Sequence, residues 1–351
     1  MSNSRRRDVT RLSSCEAPLV AAYDLVMFDL DGVVYLGSEP VEGAQEELAR
    51  LRQEGVKVAY VTNNASRTPD DVAEHLVGMG VDATAEDVVT SAQAVASLMA
   101  DSLPQGARVL AVGSAGLVNA LQERGLVVVT SMDQEPSAAV QGFGAHVDWT
   151  ALAEVAHVVN SGMPWFASNT DRTIPTARGI APGNGMLVAA VRAAVDVEPV
   201  VAGKPETALF DETVRRVGGT RPLVVGDRLD TDIEGANRVG ADSLLVLTGV
   251  SRLPELATAG PHERPGFVAP TLGALFERHA PIEVEDGTAS CAGWTAEVVD
   301  GVVQVQPTEP DPSDLGLVRA AVSAAWQHVD TTGSPADMHH VEGRLQRPRT
   351  T

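Results

Sequence analysis

Val26-Met27-Phe28-Asp29-Leu30-Asp31-Gly32-Val33-Val34 decides how the rest of the chain is read. An apolar run too short for a good helix ends abruptly in two carboxylates and a glycine. Runs of this length suit a strand buried on both faces, as in a parallel sheet. At the carboxyl end of such a strand the backbone opens into a loop, and open α/β sheets place their ligands there. Asp29 and Asp31 are two apart, so on an extended backbone they start on the same side. Gly32 permits a sharp turn and a close approach to a ligand. Carboxylates held together repel each other and favour a cation. A metal ion is therefore expected at this tip.

Outward from the tip, helical spacing over 43–54 leads to a second buried strand over 56–61, which ends in Thr62-Asn63-Asn64. Thr68-Pro69-Asp70-Asp71 opens another helix. The pattern then repeats with different content: helix 91–100, strand 108–112, helix 115–124, strands 127–129 and 138–143, helix 150–156, strand 157–160, a Pro/Gly-rich loop through 185 and helix 186–195. The first theme returns with Gly203-Lys204-Pro205, helix 206–216 and strand 223–225, which runs into Gly226-Asp227-Arg228-Leu229-Asp230-Thr231-Asp232. Helix 233–238, strand 243–247 and a segment to about 279 complete it. The simplest organisation is one domain interrupted by another: residues 21–87 and 200–280 form a discontinuous parallel-sheet domain, and 88–199 an inserted α/β domain.

Residues 281–330 are read separately. Strands 295–299 and 302–306 flank Asp300-Gly301, a two-residue hairpin signal, and a helix carrying Leu317, Val318, Ala321 and Trp326 follows. A hairpin with one helix is too small to stand alone, so this α+β extension is expected to mediate homo-oligomerisation. Residues 1–20 and 331–351, including His339-His340, read as disordered tails.

The 351 residues suffice for two or three domains with proper cores. A net charge of −21 argues against nucleic acid or an anionic membrane as partner. An anionic substrate would need local positive charge, and the only lysines are Lys57 and Lys204. Cys15 and Cys291 lie far apart and form no metal-type spacing, which fits a reducing compartment. The arginines near the N-terminus are followed by no apolar core of a signal peptide, and no stretch reaches membrane-spanning length. The expected location is the cytoplasm.

Four strand or loop ends thus carry polar residues: Asp29/Asp31, Thr62/Asn63/Asn64, Lys204, and Asp227/Asp232. If strands 25–28, 56–61 and 223–225 are parallel neighbours joined by right-handed crossovers, these ends converge. Three carboxylates can hold Mg²⁺, a hard cation that prefers oxygen. The Thr62 hydroxyl and nearby backbone N–H groups can bind phosphate oxygens. Lys204 can neutralise a carboxylate and a phosphate. One aspartate can attack phosphorus to give an aspartyl-phosphate, and another can protonate the leaving alkoxide and later deprotonate water. Taken singly, each segment has a plainer reading: a turn, a helix cap or a surface pair. All four in this order are harder to explain that way.

Phe28-Asp29-Leu30-Asp31-Gly32-Val33 resembles the first motif of the haloacid dehalogenase (HAD) superfamily. Val61-Thr62-Asn63-Asn64 resembles its second motif, Gly203-Lys204-Pro205 its third, and the 226–232 segment its fourth. The insertion is similar to the large α/β cap of class IIA phosphatases, a branch acting on pyridoxal phosphate, phosphoglycolate and p-nitrophenyl phosphate. Ala167-Ser168-Asn169-Thr170-Asp171 with Pro182-Gly183-Asn184-Gly185 fits that cap. With its added C-terminal segment, the layout is most similar to actinobacterial members acting on glycerol 3-phosphate. The resemblance implies a Rossmann-like α/β core with a cap domain, an Mg²⁺ cofactor and a small phosphomonoester substrate. It makes Asp29 the nucleophile and Asp31 the general acid/base. It assigns the ion to Asp29, the Asp31 carbonyl and Asp227, and gives Asp232 the role of orienting a metal-bound water or Lys204. Thr62, Asn63, Asn64, Lys204, Asn169 and Asp171 become substrate-binding candidates. Where members often place an aspartate after a Gly-aromatic pair, this chain reads Gly142-Phe143-Gly144. His146 nearby either faces the leaving group or lies on the surface.

Three rival readings compete. A signalling receiver also uses acids, Mg²⁺, Thr and Lys, but its long-lived phosphoaspartate has no use for Asp31. A dehalogenase needs Asp29 but neither Asp31 nor Mg²⁺. In a non-catalytic scaffold, 281–330 would be the working surface. Gly113-Ser114-Ala115-Gly116 lacks the full dinucleotide fingerprint and reads as a helix entry. The 182–185 segment lacks the Lys-Ser/Thr of a nucleotide-binding loop and reads as a turn.

Overall fold

A computed structural model describes residues 11–176 and 178–345. The chain divides into two compact units, one of residues 1–57 with 219–351 and the other of 58–218. These boundaries fall at 57/58 and 218/219, inside the segments that sequence patterning groups as one discontinuous domain.

In the first unit four parallel strands lie in the order Phe267–Ala269, Asp242–Val246, Pro222–Gly226, Leu25–Phe28. Every residue of Leu25–Phe28 is buried, which is why the run is apolar without alternation. Phe28 pairs with Val225 and Gly226 with Leu245. Because the strands are parallel, the segments following 28, 226 and 246 leave from the same edge.

The extension forms an antiparallel sheet in the order Glu283–Glu285, Thr288–Cys291, Trp294–Val299, Val302–Pro307. Asp300 and Gly301 both have positive φ, 50° and 78°, as a two-residue turn matching strand twist requires. The helix Asp314–Thr332 starts where the Ser313 hydroxyl accepts the Gly316 N–H at 3.1 Å. Its Val318, Val322 and Trp326 share one core with Leu245, Leu253, Leu256 and Val268 of the parallel-sheet region. The Trp326 indole N–H donates to the Leu256 carbonyl at 2.8 Å, and the Arg264 guanidinium lies over its ring, 4.8 Å from the centroid. Arg264 also donates twice to Asp330, at 2.6 and 2.8 Å. The extension's apolar face is therefore covered by its own chain. Its packing does not call for a second copy.

Trp326→Ala is expected to cost on the order of 3–5 kcal/mol of stability, the usual range for a buried tryptophan. A urea midpoint close to that of the wild type would show that the extension does not share a cooperative core with the sheet.

Two expectations about tails are corrected. Residues 11–20 are tied down: Leu12, Leu19 and Val20 are buried, and the Cys15 N–H donates to the His279 carbonyl at 2.9 Å. Residues 336–341 bury Ala336, Met338 and Val341, and a helix runs over His339–Leu345. A backbone bridge from Asp337 to Gly301 and Val303 holds this end on the sheet. Short apolar residues spaced among polar ones gave no periodic signal there. Residues 1–10 and 346–351 of the expected tails lie outside the described residues.

Behind the N-terminal segment sits His279, fully buried, with Nε2 against the Ala274 carbonyl at 2.9 Å and Nδ1 against Arg319 at 3.2 Å. Burial, helped by the charge of Arg319, lowers its pKa to about 4. The neutral ring is the one that fits, donating from Nε2 and accepting at Nδ1. A His whose folded pKa lies below the unfolded 6.5 binds more protons when unfolded, so stability rises with pH. Its contribution is complete above about 6.5 and is lost as pH falls toward about 4, amounting to roughly 3 kcal/mol. His279→Gln should flatten unfolding free energy against pH in that window; an unchanged slope would remove His279 as its source.

In the second unit Lys57–Thr62, which begins at the unit boundary, pairs in parallel with Val88–Thr90. A separate five-stranded parallel sheet has the order Val200–Val201, Trp165–Ala167, Ala138–Gln141, Arg108–Val112, Val127–Val129. Residues 157–160, expected as a strand, are the last turn of the helix Trp149–Asn160. Asp148 caps that helix by accepting the Ala151 N–H at 2.9 Å, and Val155, Val158 and Val159 all face the sheet core. The β-branched run suggested a strand, but burial at helical spacing overrides propensity. The expected Pro/Gly-rich loop contains an antiparallel hairpin, Thr173–Thr176 with Gly179–Pro182.

Candidate active site and metal centre

In the first unit the Asp29 N–H donates to the Val225 carbonyl at 2.9 Å, continuing the ladder one residue beyond the strand. This register sets Asp29 beside the chain that leads to Asp227. One carboxylate oxygen from each of Asp29, Asp227 and Asp232 lies within 4.8 Å of the others. Among the described residues this is the one group of three or more acids, histidines or cysteines with such spacing. Asp227 is 0% and Asp232 1% exposed. Asp227 Oδ2 accepts the Val250 N–H at 2.6 Å, and Asp232 Oδ2 accepts the Arg228 N–H at 3.1 Å. These bonds fix two of the three carboxylates before any ligand binds.

The ligand expected from Asp31 is its backbone carbonyl, and its side chain stands apart from the carboxylate group. Its side chain is exposed at the tip, and the acid that joins Asp29 and Asp227 is Asp232. Two-residue alternation holds only along a strand, and this strand ends at Phe28. Gly32 then turns the chain at φ +87°, with its N–H donating to the Tyr35 carbonyl. A Cβ on Gly32 would collide with the Asp227 carboxylate, as would one on Gly249. The loop after Asp242–Val246 was missed in the sequence. There Thr248 Oγ1 donates to the Gly32 carbonyl at 2.6 Å, and Val250 holds Asp227. The rule that ligands sit beyond the carboxyl ends of parallel strands, applied to this neighbouring strand, would have found it.

The donor set contains oxygen only, from carboxylates, two of them buried. That set fits a hard divalent cation such as Mg²⁺, and no histidine or cysteine belongs to it.

The second unit gathers the other candidates. The Asn63 side chain grips one residue twice: Oδ1 accepts the Lys204 N–H at 2.7 Å, and Nδ2 donates to the Lys204 carbonyl at 3.0 Å. Nδ2 also donates to Asp171 Oδ1 at 3.1 Å. Asn169 Nδ2 donates to the Asn63 carbonyl at 2.7 Å, and its Oδ1 accepts the Asp171 N–H at 3.2 Å. Asn63 and Asn169, expected as substrate ligands, thus use their amides to hold protein groups. Lys204 is 4% exposed, and its ammonium donates to the Val61 carbonyl at 3.3 Å. Thr62 Oγ1 accepts the Asn64 N–H at 3.1 Å, a bond that leaves the hydroxyl proton to donate elsewhere. Asn64 is exposed and caps the next turn, its Oδ1 accepting from the Ser66 N–H at 2.8 Å. His146 is exposed in the loop before Trp149. At Gly144 an added Cβ would press on Val147 and the Gly113 backbone, and Ser114 Oγ donates to the Phe143 carbonyl at 3.0 Å. Close packing against the 113–114 turn thus leaves little room for a side chain at 144.

Comparison with known proteins decides the family. A model of haloacid dehalogenase-like hydrolases matches residues 26–127, and a second HAD-hydrolase-like model matches residues 201–275. The D-glycerol 3-phosphate phosphatase of Mycobacterium tuberculosis is 42% identical over 330 residues, covering 92% of this chain and 90% of that protein. This chain belongs to the haloacid dehalogenase-like hydrolase family. The acid sugar phosphatase of Staphylococcus aureus is 37% identical over 236 residues, 67% of this chain and 90% of its own length. The crystal structure of the M. tuberculosis glycerol phosphate phosphatase with magnesium aligns with a TM-score of 0.82 at 40% identity, covering 96% of this chain and 99% of that one. A p-nitrophenyl phosphatase from Archaeoglobus fulgidus aligns at 0.67 and 27% identity, over 72% of this chain and 98% of its own. No helix among the described residues is long and apolar enough to cross a membrane.

Proposed function

We propose that this protein is a Mg²⁺-dependent phosphatase of small phosphomonoesters, with glycerol 3-phosphate as its substrate. The observation that carries the reading is the trio Asp29, Asp227 and Asp232, with carboxylate oxygens within 4.8 Å at the end of parallel strands. The 42% identity to a D-glycerol 3-phosphate phosphatase over nearly the whole chain supports the substrate.

In this reading Asp29 is the nucleophile. Its carboxylate oxygen bonds to phosphorus as the bond to the substrate alcohol breaks, and Asp31 gives the departing oxygen a proton. Asp31, exposed and outside the carboxylate trio, is the acid assigned to carry that proton. It then takes a proton from water as the water attacks the aspartyl-phosphate, freeing phosphate and restoring Asp29. Asp29, Asp227 and the Asp31 carbonyl would hold Mg²⁺, with the neighbouring Asp232 carboxylate supporting the site, and the bound ion would offset the charge of the carboxylates and the phosphoryl group. Thr62 and Lys204 bind phosphate oxygens; Lys204 supplies local positive charge on a chain of net charge −21. Residues 21–87 and 200–280 carry these motifs as the catalytic core, 88–199 form the cap that selects the organic part, and 281–330 are an appended module. Cys15 and Cys291 are both free thiols, which supports a reducing, cytoplasmic setting.

Phosphate release from glycerol 3-phosphate, phosphoglycolate, pyridoxal phosphate and p-nitrophenyl phosphate tests this. The highest kcat/KM is expected for glycerol 3-phosphate, with activity lost on chelation and restored by Mg²⁺. Release from none of them, or release indifferent to chelation, would overturn the reading.

A further inference from the structure

The segment Pro182-Gly183-Asn184-Gly185 joins the strand Gly179–Pro182 to the helix Asn184–Arg192, and the reaction scheme leaves it without a role. Asn184, the first residue of the helix Asn184–Arg192, is 2% exposed. Its Nδ2 donates to the Asn169 carbonyl at 2.7 Å. Asn169 donates in turn to the Asn63 carbonyl, and Asn63 clamps the backbone of Lys204 from both sides. Three buried asparagines thus run in series from the helix end to the lysine. The flanking glycines seat the first of them. The Gly183 N–H donates to the Arg172 carbonyl at 2.9 Å and the Gly185 N–H to the Asp171 carbonyl at 2.8 Å. A Cβ at Gly183 or Gly185 would collide with the Asp171 or Thr170 carbonyl. At the far end, a Cβ at Gly203 would strike Asn63 Oδ1 and the Ser168 carbonyl.

We infer that Asn184 is a positioning residue for the phosphate-binding lysine, acting through Asn169 and Asn63. The inference rests on the proposed role of Lys204. One feature separates this from ordinary packing: Asn184 Oδ1 is buried and accepts no hydrogen bond from the described residues. A buried acceptor without a donor lowers stability. Leucine, with the same branching and number of side-chain heavy atoms, would bury no such oxygen. What leucine lacks is the N–H that holds the Asn169 carbonyl. The segment's contribution is therefore to the placement of the Asn169–Asn63–Lys204 run rather than to the strength of the fold.

The lysine meets the phosphoryl group, which every substrate shares. Misplacing it should lower kcat/KM by a similar factor for all phosphomonoesters, roughly 10–100-fold for a displacement near 1 Å. Loss of a contact to the organic part would instead change the ranking among them.

The test compares Asn184→Leu and Asn184→Ala with Lys204→Met in the full-length, Mg²⁺-loaded enzyme, with inorganic phosphate as competitive probe. Asn184→Leu is expected to keep its thermal midpoint within a few degrees, lower kcat/KM equally for glycerol 3-phosphate and p-nitrophenyl phosphate, and weaken phosphate inhibition. Asn184→Ala should do the same with a lower midpoint. If Lys204→Met leaves phosphate inhibition unchanged, the phosphate role of Lys204 fails and the inference with it. If Lys204→Met weakens phosphate while folded Asn184→Leu does not, the positioning role alone fails. Loss of folding in both Asn184 variants would make the residue structural and also overturn it.

Discussion

Asp29→Asn is expected to lower the rate of phosphate release by on the order of 10⁴–10⁶-fold, the scale on which removal of a covalent nucleophile acts. Asparagine keeps the size and the backbone bond to Val225, so the strand tip stays in place while the anionic, nucleophilic carboxylate oxygen is replaced by a neutral amide. Folding should be intact, read as an unchanged far-ultraviolet spectrum and a thermal midpoint no lower than that of the wild type without Mg²⁺. The same change removes one charge from the Asp29, Asp227 and Asp232 cluster. The variant should therefore also need more Mg²⁺ for the midpoint rise that metal confers. Mass spectrometry of acid-quenched turnover mixtures should find the phosphoryl adduct on the wild-type chain and none on the variant. Near-normal, Mg²⁺-dependent turnover by Asp29→Asn would contradict the nucleophile assignment.

Asp31→Asn should act differently, because Asp31 moves a proton rather than forming a bond to phosphorus. General acid–base help is worth roughly 10²–10⁴-fold, and the loss should depend on the alcohol that leaves. Glycerol departs as a basic alkoxide and needs the proton, so its hydrolysis should fall by the full amount. The p-nitrophenolate ion leaves without help, so the first step should stay fast while attack of water on the aspartyl-phosphate stalls. Rapid mixing of Asp31→Asn with p-nitrophenyl phosphate should then release about one equivalent of p-nitrophenol per enzyme, followed by slow turnover. Equal slowing of both substrates without a burst would place Asp31 outside proton transfer.

The two predictions divide labour between neighbouring aspartates, and geometry bears on why they differ. Asp29 stays in the hydrogen-bonded register of the sheet, whereas Asp31 lies beyond its reach on an exposed turn. The trio is completed by Asp232 instead. It comes from the irregular helix Leu229–Ile233, where the Arg228 N–H points back at its carboxylate. Two-residue alternation applies within a strand, and Asp31 lies past the end of Leu25–Phe28, where the turn at Gly32 sets its direction.

Local chemistry was enough for several assignments. The unalternated apolar run at 25–28, the Asp300-Gly301 turn and the Ser313 cap follow from burial on both faces, positive φ and an orphan N–H, which are decided within a few residues. The acids and the lysine were legible for the same reason, since few roles suit such groups where apolar strands end. Long-range packing decided the rest. The valines of 155–159 form a helix because a sheet lies beneath them, and residues 336–345 order because Met338 and Val341 find a core. The hydrogen bonds of Asn63, Asn169 and Asn184 join residues up to 141 positions apart. An asparagine reads alike whether it touches ligand or protein until the partner of its amide is known, and only the folded chain supplies that partner.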